Sequence, residues 1–87
     1  MTVAEISNLE RIPMAIDYRR TYRGTTIIAV GDRRLPGCRI EFTLEMSPWG
    51  THEVNVRFID PAEYPIVPAI KILKEHIATM DRNGELP

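Results

Sequence analysis

A single cysteine, Cys38, stands in the 87-residue chain, so no internal disulfide can form and nothing ties the fold to an oxidising compartment. No run approaches the roughly 18 consecutive apolar residues of a membrane span. The opening "MTVAEISNLERIP" has two glutamates and no apolar core, which fits neither a secretory signal nor an arginine-rich transit peptide. The expectation from these absences is a cytoplasmic protein with no membrane contact. Histidine is scarce too: His52, His76 and Cys38 lie far apart and show none of the close-paired spacings of a structural zinc site. Phosphate-cradling glycine loops and dinucleotide fingerprints are missing.

Nucleophilic catalysis needs a serine, threonine or cysteine beside an oriented base. Cys38 has the parity of a core position, where a free cysteine behaves as a small hydrophobe. Ser47 reads as a turn residue, and Ser7 lies in the first dozen residues. Glu41 and Glu45 share a strand face with Arg39, the pattern of cross-strand charge pairing. No catalytic, cofactor-binding or metal-ligating residue is therefore expected, and the chain reads as a binding protein, not an enzyme.

The apolar fraction of 44% and charged fraction of 26% are those of an ordinary folded domain. A chain this short supports one core. The expected organisation is a polar lead-in over residues 1–12, frayed or forming a short helical turn, followed by one domain over residues 13–87.

Two runs alternate at the period of a half-buried strand. In "CRIEFTLEM" Cys38, Ile40, Phe42, Leu44 and Met46 face one way, and in "HEVNVRFI" Val54, Val56 and Phe58 do. The short "SPWGT" between them predicts an antiparallel hairpin. "TTIIAV" is β-branched and apolar on both parities, as in a central strand. "MAIDYRRTY" gives a fourth run, with Ile16, Tyr18, Arg20 and Tyr22 on its inner parity; Arg20 would lay its stem on the sheet and keep its guanidinium wet. A turn is expected at Arg23–Gly24 between these last two runs.

Past the proline-rich "DPAEYPIVP", where Asp60 to Glu63 has the form of a capping box, the period changes. Ile66, Ile70, Leu73, Ile77 and Met80 line one stripe of a helix over about 67–82, and "NG" at 83–84 ends it. The fold class is α+β: an antiparallel meander of four strands, or three, packed by one C-terminal helix in two layers.

Charge is uneven although the net is −1. Residues 11–39 hold seven arginines against Asp17 and Asp32, while the segments on either side are acidic. The cluster "YRRTYRG" at 18–24 is the densest part. Mutual neutralisation between strands is the plain reading and an interaction surface the sharper one. Arg19, Arg23, Arg33, Arg34 and Trp49 are the candidate contacts for a protein partner, or for a second copy of the chain, through an arginine-rich strand end and a hairpin tip. The alternative is weak nucleic-acid binding, with Tyr18 and Tyr22 stacking bases while Arg19, Arg20, Arg23, Arg33 and Arg34 hold phosphates. Against it stands a pI of about 6.1. Trp49 either projects from the hairpin tip as a contact residue or folds back over the sheet.

The layout "YRGTTIIAV", a long alternating strand, "VRFIDPAEYP" and a helix ending "IATMDRNG" resembles small uncharacterised proteobacterial domains in which a strand meander closes with one helix. The resemblance covers residues 14–84 as a pattern. It implies the fold and a bacterial source, and transfers no active residues.

Overall fold

In the computed structural model, which describes residues 1–15 and 18–87, the two alternating runs form the expected hairpin. The elements are strands β1 (Thr2–Ile12), β2 (Arg19–Val30), β3 (Arg33–Arg34), β4 (Cys38–Met46) and β5 (His52–Phe58), then helix α1 (Ile66–Arg82). All pairings are antiparallel, and the sheet order is β1-β2-β4-β5 with β3 also against β2. The helix covers one sheet face, giving the two-layer α+β architecture that the patterns predict. Its backbone comes closest to β5 and β1, the two edge strands.

Two expected strands are one. β2 runs without a break through Gly24, which pairs with Ile40, so no turn forms at Arg23–Gly24. The physical reason lies in β1. A Cβ on Gly24 would sit 3.1 Å from the Leu9 Cδ2, 3.1 Å from the Ser7 carbonyl oxygen and 3.2 Å from the Ile6 Cγ2. Glycine here makes room for a neighbouring strand, one of the uses of glycine inside a sheet. Ile16 and Asp17, the start of the expected first run, lie outside the described residues.

The polar lead-in is the larger correction. Residues 2–12 form an eleven-residue edge strand against β2, neither frayed nor helical. Two register shifts interrupt it, between Val3 and Glu5 and between Ser7 and Glu10, and Asn8 takes φ 53 in the second. Each irregularity shifts the period-two phase. The residues that reach the core are consequently Val3, Ile6 and Leu9, three apart, a spacing that masks a strand.

The core consists of Tyr22, Ile28, Ile40, Phe42 and Leu44 from β2 and β4, Val54 from β5, and Leu73 and Ile77 from α1. Tyr22 and Phe42, directly paired across the strands, stack at 5.2 Å between ring centroids. The helix has Ala69, Leu73 and Ile77 fully covered, while Ile66, placed on the stripe by its spacing, lies exposed in the first turn. Pro68 sits in that turn, where a missing N–H leaves no intrahelical bond unmade. The helix stops as expected: Gly84 at φ 69 donates to the Asp81 carbonyl and Glu85 to the Met80 carbonyl, the two bonds of a glycine-terminated helix end. The capping box does not form. The Asp60 carboxylate instead accepts from the Arg39 backbone N–H at 3.0 Å and from its guanidinium at 2.8 Å.

Candidate interaction surface

Facing away from the helix, the sheet carries rows of charge that the register sets side by side. Glu10 pairs with Arg23, Arg23 with Glu41, and Glu41 with Arg57, so signs alternate across four strands. The Arg23 Nε and the Arg57 Nη2 both donate to one Glu41 oxygen at 3.1 Å. One row along, Arg19 donates to Glu45 at 3.1 Å, but Glu45 lies directly opposite Glu53 on β5. Arg34 stands 3.8 Å from Glu5. Asp60 has its pKa lowered to about 2, first by the hydrogen bond from the Arg39 side chain and then by that from its backbone N–H.

The arginine-rich segment is thus largely matched with carboxylates, and its members are spread out. β2 is twelve residues long, which separates Arg19 from the β2–β3 turn by about 36 Å at strand rise. Arg19 and Trp49 are at one end of the molecule, Arg23 is midway, and Arg33 and Arg34 are exposed at the other end. The structure does not bring the five candidate residues together.

The Trp49 end holds a site of its own. Its hairpin turn is tightly bonded: Ser47 N–H donates to the Thr51 carbonyl at 2.8 Å, the Ser47 Oγ is 2.6 Å from the Thr51 hydroxyl, and it also accepts from Trp49 N–H at 3.3 Å. From this braced turn Trp49 projects with 89% of its surface exposed. Tyr18 and Met46, both expected to pack inward, are 57% and 51% exposed beside it, because the strand ends overhang the helix. The Met46 N–H donates to the Tyr18 carbonyl at 3.0 Å and holds the two together.

An open groove of about 650 Å³ runs here, lined by Tyr18, Leu44, Met46, Pro48 and His52 with Arg20 on its wall. Arg20 does not remain wet as expected. It crosses to the helix, where its Nη2 donates to an Asp81 oxygen at 2.9 Å, and its Nη1 donates to the Tyr22 hydroxyl at 3.3 Å. Burial disfavours the Arg20 charge, but the Asp81 hydrogen bond outweighs it and raises the pKa. The other Asp81 oxygen is 3.3 Å from the His52 Nδ1. Arg20, Asp81 and His52 therefore tie β2, α1 and β5 into one polar wall beside an apolar floor.

Tyr22 is fully buried and its hydroxyl donates to the Pro87 carbonyl at 3.1 Å, so it cannot stack a base. Cys38 is buried, and its Sγ is 3.6 Å from the Pro61 carbonyl. The Tyr64 hydroxyl beside it is buried without a hydrogen-bond partner among the described residues, and burial pushes its pKa up. Among the described residues no three histidine, cysteine, aspartate or glutamate side chains converge as a metal site, and no helix is long and apolar enough to cross a membrane.

Sequence reasoning missed the polar wall and the exposed Met46. Arg20 and Asp81 are 61 residues apart, and no local pattern links them. The model of one small, uncharacterised protein family matches residues 1–82 of the chain. No curated protein and no solved structure matches it.

Proposed function

The chain belongs to the small uncharacterised family whose model spans its residues 1–82, and we propose that it works as a non-catalytic domain that binds another protein through the Trp49 end of its sheet. One observation carries this reading: Trp49 is 89% exposed on a braced turn, with Tyr18 and Met46 beside it over the same groove. Tryptophan, tyrosine, methionine and arginine are the residues enriched where proteins meet, and exposed aromatic anchors carry much of the binding energy. The hydrogen-bonded turn reduces the conformational entropy lost on docking. A partner would insert an apolar side chain between Tyr18 and Met46.

Catalysis finds little support here. The Ser47 hydroxyl is committed to its own turn and the Cys38 thiol is buried. Nucleic-acid binding is the weaker reading for the same kind of reason: Tyr22 is inside, and Arg19, Arg23 and Arg34 already face carboxylates. A cytoplasmic, bacterial setting belongs to the same proposal, and a single buried cysteine fits it.

The test uses a phage library of random twelve-residue peptides selected on the whole chain. Trp49 is the sole tryptophan, so its emission reports occupancy of the site directly. Enriched apolar or aromatic peptides should shift that emission and lose at least tenfold in affinity to a Tyr18→Ala variant. Selection that enriches no peptides, or only peptides indifferent to both Tyr18→Ala and Trp49→Ala, would refute the proposal.

A further inference from the structure

We propose that β5 is a self-complementary edge through which two copies of the chain join into one continuous sheet. β5 is the last strand in the sheet order, with its outer side free of any partner strand among the described residues. The opposite edge, β1, is broken by two register shifts and a residue at positive φ, devices that blunt an edge against pairing. β5 has neither: its seven residues, His52 to Phe58, pair with β4 in unbroken register and contain no proline, glycine or lysine. It is the edge left open.

The phase of its backbone follows from the bonds at its two ends. Ile59 N–H donates to the Arg39 carbonyl at 2.9 Å, and Ser47 N–H donates to the Thr51 carbonyl at 2.8 Å. In an antiparallel ladder every second residue bonds to the same neighbour. Glu53, Asn55 and Arg57 therefore turn their backbone groups to β4, and His52, Val54, Val56 and Phe58 turn theirs outward.

A two-fold axis at Asn55 uses those outward groups in full. It sets Val54 against Val56 of the second copy, and His52 against Phe58 of the second copy, as pairs that exchange both hydrogen bonds. Glu53 then faces Arg57 of the second copy in the closer, non-bonded type of pair, where side chains interact most. The relation is reciprocal, as an isologous interface requires. Moving the axis by one residue either way along the strand places Glu53 opposite something other than Arg57.

Charge on the outer face points the same way. Glu53 makes no ion pair among the described residues and lies directly opposite Glu45, a like-charged pair that costs stability in the monomer. Arg57, whose side chain is 65% exposed, reaches Glu41 with one Nη2 and leaves donors free. Pairing at Asn55 sets Arg57 of the second copy on the open side of Glu53. The alternating row that starts at Glu10 then runs on across the axis.

This adds a second surface to the interaction reading and rests on that reading only in treating the chain as an interaction domain. Trp49→Ala should leave the dimer intact, so the groove and the edge fail separately. Sedimentation velocity on the whole chain from 5 to 500 µM should show a reversible dimer. Glu53→Lys should weaken it roughly tenfold or more while leaving the monomer at least as heat-stable, since the introduced lysine faces Glu45. Arg57→Glu should weaken it as well. Mixing these two variants should restore dimerisation, because each new charge meets its opposite across the axis, and native mass spectrometry should show the mixed species. A wild-type chain that stays monomeric at 500 µM, a dimer insensitive to both reversals, or two variants that do not recover on mixing would each overturn the proposal.

Discussion

Gly24→Ala is a one-carbon change that tests whether residues 2–12 are seated as a strand. The added methyl would meet a Leu9 carbon at 3.1 Å, an Ile6 carbon at 3.2 Å and the Ser7 carbonyl oxygen at 3.1 Å, each a few tenths of an ångström inside ordinary contact. Two of these are side-chain atoms that can yield. The third is backbone, held in the irregular stretch of β1 between Ser7 and Glu10. Overpacking of this kind costs about 1–3 kcal/mol. Restricting the unfolded chain by replacing glycine returns about 0.4–1 kcal/mol. The net expectation is a loss of about 1–2 kcal/mol, or about 5–15 °C in Tm for a domain of this size. Urea denaturation followed by far-ultraviolet circular dichroism measures it, with an unchanged slope showing that both states keep their compactness. Leu9→Ala removes one of the crowding atoms, so the double variant should lose less than the sum of the singles, by about 0.5 kcal/mol or more. A Gly24→Ala protein as stable as wild type, or more so, would mean that β1 does not press on β2 where the structure places it.

The Asp60 carboxyl should titrate near pH 2 by carbon-detected NMR, and Arg39→Ala should return the midpoint toward the ordinary 3.8; a wild-type midpoint already at 3.8 would refute the pairing. Because the folded pKa lies below the unfolded one, the contribution of this contact to stability is present above about pH 4 and disappears as pH falls through about 2. Leu73→Ala empties the centre of the helix stripe, where Leu73 is fully buried, and should cost about 3 kcal/mol in the same urea experiment. A loss below about 1 kcal/mol would show that the helix does not rest on the sheet through that side chain.

The parts of the fold that were legible are those in which one period runs unbroken. β4 and β5 alternate without a fault, and α1 keeps its stripe from Ala69 to Ile77 between a proline-bearing first turn and a glycine stop. β1 was illegible because its irregularities place Val3, Ile6 and Leu9 three apart. Gly24 looked like punctuation because a glycine at a turn and a glycine under a crowding neighbour are written alike. Asp60 had the neighbours of a cap, and lost that role to an arginine 21 residues away. The site divides in the same manner. A tryptophan at the tip of a short hairpin can be read from its turn, whereas the Arg20, Asp81 and His52 wall is assembled across 61 and 29 residues of chain. The seven arginines cluster in the sequence, but register deals most of those on the strands to a carboxylate on the adjacent strand.

The placement of α1 also orders events in time. Its backbone approaches β5 and β1, which are furthest apart in the sheet and stand on opposite sides of the β2–β4 pair. A helix that bridges two edges has nothing to bridge until the strands between them are aligned. The β4–β5 hairpin, closed by a local turn, is the cheapest nucleus in loop entropy, and β2 adds to it next. Helix docking then belongs to the late side of the folding barrier. Leu73→Ala should accordingly leave the refolding rate nearly unchanged and express its cost as faster unfolding, the kinetic mark of a contact made after the transition state.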